Sequence, residues 1–274
     1  MGYLLTISSS QNPRIKYVAG LRQRRQRDQA GVILVEGYAE LALALDGGAR
    51  PAELFVCPPL FALPTQAALL DRAARAGAQI VHVEQRAFRR MAYREHPDGW
   101  LATVAMPARR LADLSLGANP LVVIGEALEK PGNLGAILRT ADAAGVDAVV
   151  SCEPRTDWGN PNVVRASKGA LFTVPVAQAA SEEAIDWLRR NGITIVVATP
   201  EAATSYTAAD LTRPAAVVVG AEQPGLSSRW RAAADLAVSI PMRGRVDSLN
   251  VATATALLVY EAVRQRGSGT VTDV

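Results

Sequence analysis

The chain has 274 residues, of which 49% are hydrophobic and 20% charged, a soluble globular balance with enough length for two domains. No apolar run approaches the roughly 18 to 20 residues needed to cross a bilayer. Residues Met1 to Gln11 lack a charged region followed by an apolar core, so no signal peptide is expected. Cys57 and Cys152 are too few and too far apart for a disulfide framework or a CxxC motif, and they fit buried small hydrophobes in a reducing cytoplasm. With His82 and His96 as the only histidines, composition argues against a histidine metal site or a Ser-His-Asp triad.

The net charge of +3 is unevenly spread. Residues 1–107 carry 13 Lys and Arg against 9 Asp and Glu, whereas residues 108–274 carry 16 against 17. The densest basic stretch is Arg22, Arg24, Arg25 and Arg27, preceded by Arg14 and Lys16. Such a stretch is either a phosphate-binding arm that releases counterions or a solvated helix face.

In chain order, residues 32–35 read as a strand, 38–45 as a helix, 53–57 as a strand, 65–75 as a helix opened by Pro64, and 79–83 as a strand. An irregular loop over 93–100 leads into a last strand at 101–105. This alternation predicts a small α/β domain with a largely parallel sheet. The pattern is lost over residues 108–119, a linker. It resumes with strands at 121–125, 148–151, 193–198, 215–220 and 238–240, and helices at 133–144, 162–168, 182–190 and 247–265, before a Gly/Ser/Thr-rich tail. The division is therefore 1–107, linker 108–119, a second α/β domain 120–266, and a tail 267–274.

No G-x-G-x-x-G follows a predicted strand and no G-x-x-x-x-G-K-[ST] occurs, which disfavours a dinucleotide-type Rossmann site and a P-loop. Three other blocks lie at strand-to-helix corners, where open α/β sheets hold ligands. The first, Gly132-Asn133-Leu134-Gly135-Ala136-Ile137-Leu138-Arg139, offers Asn133 as a helix cap and Arg139 as an anchor for phosphate or ribose, or as a partner for a surface carboxylate. The second, Gly220-Ala221-Glu222-Gln223-Pro224-Gly225, is either a main-chain cradle for a nucleoside or a tight turn with a solvated Glu222. The third carries Ile240-Pro241-Met242 and then Asp247-Ser248-Leu249-Asn250, with polar groups of Ser248 and Asn250 at a helix start, for a ligand or for capping alone.

Together, these blocks resemble the three motifs of the SpoU (TrmH) family of RNA ribose 2′-O-methyltransferases in the SPOUT superfamily. Ile7 to Arg27, Val35-Glu36-Gly37, the turn His96-Pro97-Asp98-Gly99-Trp100 and the run Arg165-Ala166-Ser167-Lys168-Gly169-Ala170 also follow the family pattern. The resemblance implies an α/β fold: a C-terminal SPOUT domain with a parallel sheet and a deep trefoil knot, plus a smaller L30e-like N-terminal domain that binds RNA. It implies S-adenosylmethionine as cofactor, held at Gly220, Ile240, Met242 and Leu249. It assigns functional roles to Asn133, Arg139, Glu222, Ser248 and Asn250, with Arg139 activating the ribose hydroxyl. It further implies a cytoplasmic homodimer whose active sites borrow from the partner subunit. RNA contacts are expected from Arg14, Lys16, Arg22, Arg24, Arg25 and Arg27, with Arg165 and Lys168 nearer the reaction. Large-subunit (23S) ribosomal RNA is the favoured substrate, transfer RNA the alternative; a non-catalytic RNA-binding member of the family is a further alternative. No metal is expected.

Overall fold

Asn12 and Pro13 start the first helix: the Asn12 side chain accepts from the Arg14 amide and Pro13 occupies the first turn, where no N–H is needed. The computed structural model describes residues 5–107, 110–221 and 223–267. Its first stretch runs β1 (Thr6–Ile7), α1 (Pro13–Gly20), α2 (Arg24–Ala30), β2 (Val32–Glu36), α3 (Tyr38–Asp46), β3 (Pro51–Val56), α4 (Ala68–Arg75), β4 (Gln79–Val83), α5 (Gln85–Met91) and β5 (Trp100–Ala105). The five strands form one sheet in the order β1-β4-β3-β5-β2.

This sheet is mixed, not largely parallel. Strands β1, β4 and β3 run parallel, but β5 lies antiparallel to both β3 and β2. Hydrophobic periodicity marks a strand without giving its direction, which the turn over residues 92–99 sets. Within that turn Asp98 accepts the Tyr38 amide at 2.8 Å, at the start of α3, and the buried Trp100 ring stacks on Phe61. Glu36 accepts the amides of Tyr93 at 2.7 Å and Arg94 at 3.1 Å; burial pushes its carboxyl up against those two bonds.

The chain continues through β6 (Leu121–Glu126), α6 (Pro131–Ala144) and β7 (Ala148–Cys152). Then come α7 (Pro161–Ala166) and α8 (Ala170–Thr173), followed by β8 (Val176–Ala179), α9 (Ser181–Arg190), β9 (Thr194–Ala198), β10 (Thr204–Ser205), β11 (Ala215–Val219), α10 (Ser228–Ala233), β12 (Leu236–Ser239) and α11 (Val251–Gln265). Seven strands form a sheet ordered β10-β12-β9-β11-β6-β7-β8, with every pairing parallel. Its central strands, Leu-Val-Val-Ile-Gly-Glu and Ala-Ala-Val-Val-Val, are buried throughout, as a parallel sheet covered on both faces requires. Amphipathic α9 shows how a covering helix is specified. It buries Ala184, Ile185, Trp187 and Leu188, and it carries Glu182 and Glu183 in its first turn and Arg189 and Arg190 in its last, matching the helix dipole.

The structure separates into two compact units: Met1–Pro107 with Asp157–Thr173, and Ala108–Thr156 with Val174–Val274. The segment 157–173, inside the span that the sequence reading gives to the second domain, thus packs with the first unit. There α7 lies against β2 and α8 against α3.

The firmest tie of this segment is a buried ion pair. Arg27 is 1% exposed; its Nη2 donates to both Asp157 oxygens at 2.9 and 2.7 Å, and its Nη1 donates to the carbonyls of Leu21 and Arg22. Every charged atom has a partner, the condition under which a buried pair is tolerated. Arg27→Met should therefore strand a buried carboxylate and lower stability by about 3–5 kcal/mol in urea unfolding. Combining it with Asp157→Leu should recover most of that loss. A single variant as stable as the parent would show the pair to be dispensable.

Candidate active site

Because β6, β11, β9 and β12 are parallel neighbours, their carboxyl ends open at one edge of the seven-stranded sheet. The loops that leave those ends form two adjoining cavities. The first, about 400 Å³, is floored by Val219, Val238 and Leu226 and walled by Gly220, Ile240, Met242, Ser248 and Leu249. The second, about 560 Å³, is lined by Leu128, Glu129, Lys130, Asn133 and Asn250. Both share Ala221, Gln223, Ser248, Leu249 and Val251, which makes them two lobes of one cleft.

The first lobe exposes backbone. A Cβ on Gly220 would lie 2.5 Å from the Gly225 carbonyl carbon and 2.6 Å from the Leu226 nitrogen, so only glycine lets the loop fold back on itself there. Arg231 fastens this loop by donating from Nε and Nη2 to the Leu226 carbonyl at 2.9 and 2.8 Å. Glu201 stands on the same lobe, after β9. The Thr199 hydroxyl and the residue's own amide hold its carboxyl below the usual carboxylate range, so it is ionised at neutral pH.

The sequence-derived residues gather unevenly. Gly220, Ile240, Met242, Ser248 and Leu249 line the first lobe, and Asn133, Ser248 and Asn250 the second. Asn133 is not the cap of α6, which begins at Pro131 behind Lys130; it sits in the first turn and its Oδ1 accepts from Asn250 Nδ2 at 3.0 Å. Asn250 caps α11 by accepting the Ala252 amide, so that helix starts at Val251 rather than 247. Ser248 instead donates to Asp247 at 3.0 Å. Arg139 is exposed on α6 and lines neither lobe. Glu222 lies outside the described residues.

The basic residues of the first unit also divide. Arg27 is withdrawn from any nucleic acid by its burial against Asp157, a correction to its expected role. Arg22 is spent on main chain, donating to the carbonyls of Arg90 and Ala92. Arg14 pairs with Glu53 at 3.4 Å and Arg24 with Asp28 at 3.5 Å, while Lys16 and Arg25 are exposed. In the 157–173 segment, Arg165 donates to Asn162 at 3.2 Å, and the half-exposed Lys168 stands 3.9 Å from Glu40.

Sequence reasoning missed Thr199, Glu201 and Arg231, although Thr199-Pro200-Glu201 at a strand end follows the same rule as the three blocks. It also missed Glu126. This buried carboxylate at the end of β6 accepts the Ser227 amide at 2.8 Å and the Ser181 hydroxyl at 3.2 Å; Trp230 Nε1 donates to that same hydroxyl at 3.1 Å. Glu126 thereby fixes the end of the Gly220–Leu226 loop to the strand from which the second lobe's loop departs. Among the described residues, no group of three or more His, Cys, Asp or Glu is placed to hold a metal, and no helix is long and apolar enough to cross a membrane.

A parallel α/β sheet with a glycine-cradled cleft at its carboxyl edge is the frame of a ligand-binding α/β protein, and comparison with known proteins gives the family. Residues 120–260 match the model of the SpoU rRNA methylase family, and residues 12–102 match that of the MRM3-like substrate binding domain. The chain is 35% identical over 268 residues to a 23S rRNA (uridine(2479)-2′-O)-methyltransferase of Streptomyces viridochromogenes, spanning 95% of this chain and 93% of that one. It is 29% identical to the 23S rRNA (guanosine(2553)-2′-O)-methyltransferase RlmP of Bacillus subtilis, over 93% and 97% of the two chains. Among solved structures, the SpoU methyltransferase AviRb from Streptomyces viridochromogenes in complex with the cofactor AdoMet superposes with a TM-score of 0.86 at 32% identity, covering 95% of this chain and all of that one. The protein belongs to the SpoU methylase family.

Glu126→Ala should release the Ser227 amide. We expect faster hydrogen exchange at Ser227 and a stability loss of about 1–3 kcal/mol, the usual result of orphaning buried donors. Unchanged protection at Ser227 would show the loop to be held by other contacts.

Proposed function

We propose that the protein transfers a methyl group from S-adenosylmethionine to a ribose 2′-hydroxyl of RNA, with 23S ribosomal RNA as substrate. The observation that carries this reading is the two-lobed cleft, in which Ser248, Leu249 and Val251 serve both lobes. The first lobe suits the cofactor: its apolar floor, its cradle at Gly220 and its ionised Glu201 match a nucleoside with an amino-acid arm. Gly220, Ile240, Met242 and Leu249 would hold it. When bound, S-adenosylmethionine supplies a methyl made electrophilic by its sulfonium, so no metal is required.

The second lobe then receives the target nucleotide. Asn133 and Asn250, bonded to each other at 3.0 Å, offer amide groups for orienting a ribose. Glu222 and Ser248 are assigned to the same site by their motifs. Arg139 acts electrostatically through its guanidinium, lowering the pKa of the attacking hydroxyl or holding a phosphate that accepts its proton.

The resemblance implies active sites that borrow from a partner subunit, and Arg139 lines neither lobe of its own cleft. We assign a homodimer in which Arg139 completes the partner's site. Support comes from α11, which packs on α6, the helix of Arg139. Its outer face shows Tyr260 at 48% and Leu257 at 38% exposure along a groove of about 410 Å³ with Tyr206. The resemblance carries a trefoil knot with it; the return of α11, the last helix among the described residues, onto α6, β6 and β11 is in keeping with one. Ribosomal RNA as substrate places the enzyme in the cytoplasm.

Methyl transfer from labelled S-adenosylmethionine to total ribosomal and transfer RNA, followed by mapping of 2′-O-methyl sites, tests the reading. One new site in 23S RNA is expected. Label in transfer RNA alone would overturn the substrate, and no label with cofactor bound would overturn the activity. Arg139→Ala should abolish transfer and leave cofactor affinity intact; near-normal turnover would remove Arg139 from the mechanism. Leu257→Asp with Tyr260→Asp should give a monomer by analytical ultracentrifugation, inactive but still binding cofactor. A persistent dimer would place the interface elsewhere.

A further inference from the structure

Helices α1 and α5 present one outer face. Ile15 and Val18 of α1 and Ala87, Phe88 and Met91 of α5 enter the same core cluster, with Leu34, Phe55, Val81 and Leu101 of the five-stranded sheet. The two helices also pack against each other. They therefore lie side by side on one side of the sheet, and their opposite faces both point away from it. That outer face carries Lys16 and Tyr17 from α1 and Arg86, Arg89 and Arg90 from α5, all exposed, Tyr17 at 45%.

Among the described residues, none of these four cations has an ion-pair partner. The acids nearby are engaged or marginal: Glu53 pairs with Arg14, and Glu84 precedes the first turn of α5. Arg22, whose guanidinium donates to the carbonyls of Arg90 and Ala92, locks the end of α5 to the α1–α2 corner and brings a further positive charge beneath the face. Unneutralised cations fixed on a rigid layer attract a polyanion. An exposed aromatic ring among them is the arrangement that stacks an unpaired base while the cations track the backbone.

We propose that this α1–α5 face binds a single-stranded segment of the substrate RNA, with Tyr17 stacking one base and Lys16, Arg86, Arg89 and Arg90 contacting phosphates. The inference rests on the reading that the protein acts on RNA, and it moves the main contacts from the arginine run of α2 to α5. An anionic membrane is the poorer occupant, because apart from Tyr17 the face offers no large apolar side chain to insert.

The test measures binding of the full-length protein to a labelled 23S RNA transcript across a salt series. Arg86→Gln with Arg89→Gln and Arg90→Gln should reduce the slope of log K against log salt by about two, as expected for three lost single-strand phosphate contacts. Tyr17→Ala should weaken binding about tenfold, with Tyr17→Phe restoring it. Cofactor affinity and thermal unfolding should match the parent in each variant, which separates lost contacts from misfolding. A parent that binds with a steep salt slope and variants that keep it would overturn the face while leaving the RNA reading intact. A parent that shows no salt-dependent RNA binding would overturn that reading itself, and with it this inference. Variants that lose binding to phosphatidylserine vesicles but keep RNA binding would give the face to a membrane and overturn the proposal.

Discussion

Strands β12, β9, β11 and β6 run in one direction, and that shared direction decides where chemistry can occur. A parallel sheet buried on both faces leaves its strands no polar surface along their length. The loops at their carboxyl ends are thus the place where main-chain groups, glycines and polar side chains can meet a ligand. Three of the four loops at this edge carry the blocks legible in the sequence, and the fourth carries Thr199 and Glu201. The cleft is a consequence of strand direction first and of residue identity second.

Residue identity then governs how rigid the edge is. Two buried polar side chains act as fasteners, and each of their nitrogen or oxygen atoms has a hydrogen-bond partner. Glu126 joins the loop after β11 to the end of β6, and Arg27 joins the α2 region to the 157–173 segment. Both are expensive to bury and would be harmful if half satisfied. Their partners are distributed accordingly: a backbone amide and a hydroxyl for Glu126, and two carboxylate oxygens and two carbonyls for Arg27.

The sequence disclosed the parts of this design that are local. Glycine and proline at strand ends marked the three blocks because the turn itself needs those residues. Continuous apolar runs marked β6 and β11 because both faces of those strands are covered. Long-range partnerships stayed hidden. Glu126 reads as the polar end of an apolar run, and its partners lie 55 and 101 residues on. Arg27 is one of four arginines within six positions, and only Asp157, 130 residues away, sets it apart. Arg139 sits within the first block, yet six residues at roughly 3.6 per turn carry it well around α6 from Asn133, and it lines neither lobe. The antiparallel run of β5 had no local signature either.

The placement of residues 157–173 changes how the protein can be made and cut. The ribosome releases residues 1–107 while Arg27 still lacks its counter-charge and β2 lacks the cover of α7. The stretch 108–156, which belongs to the other unit, must be synthesised before that cover arrives. The first unit therefore finishes late although its chain begins early, and nascent protein stalled between the two stretches would show a ready-made surface to chaperones. Nor can a single cut yield the first unit intact: a fragment ending at Pro107 discards Asp157, α7 and α8, and what it measured about RNA would be the behaviour of an incomplete core.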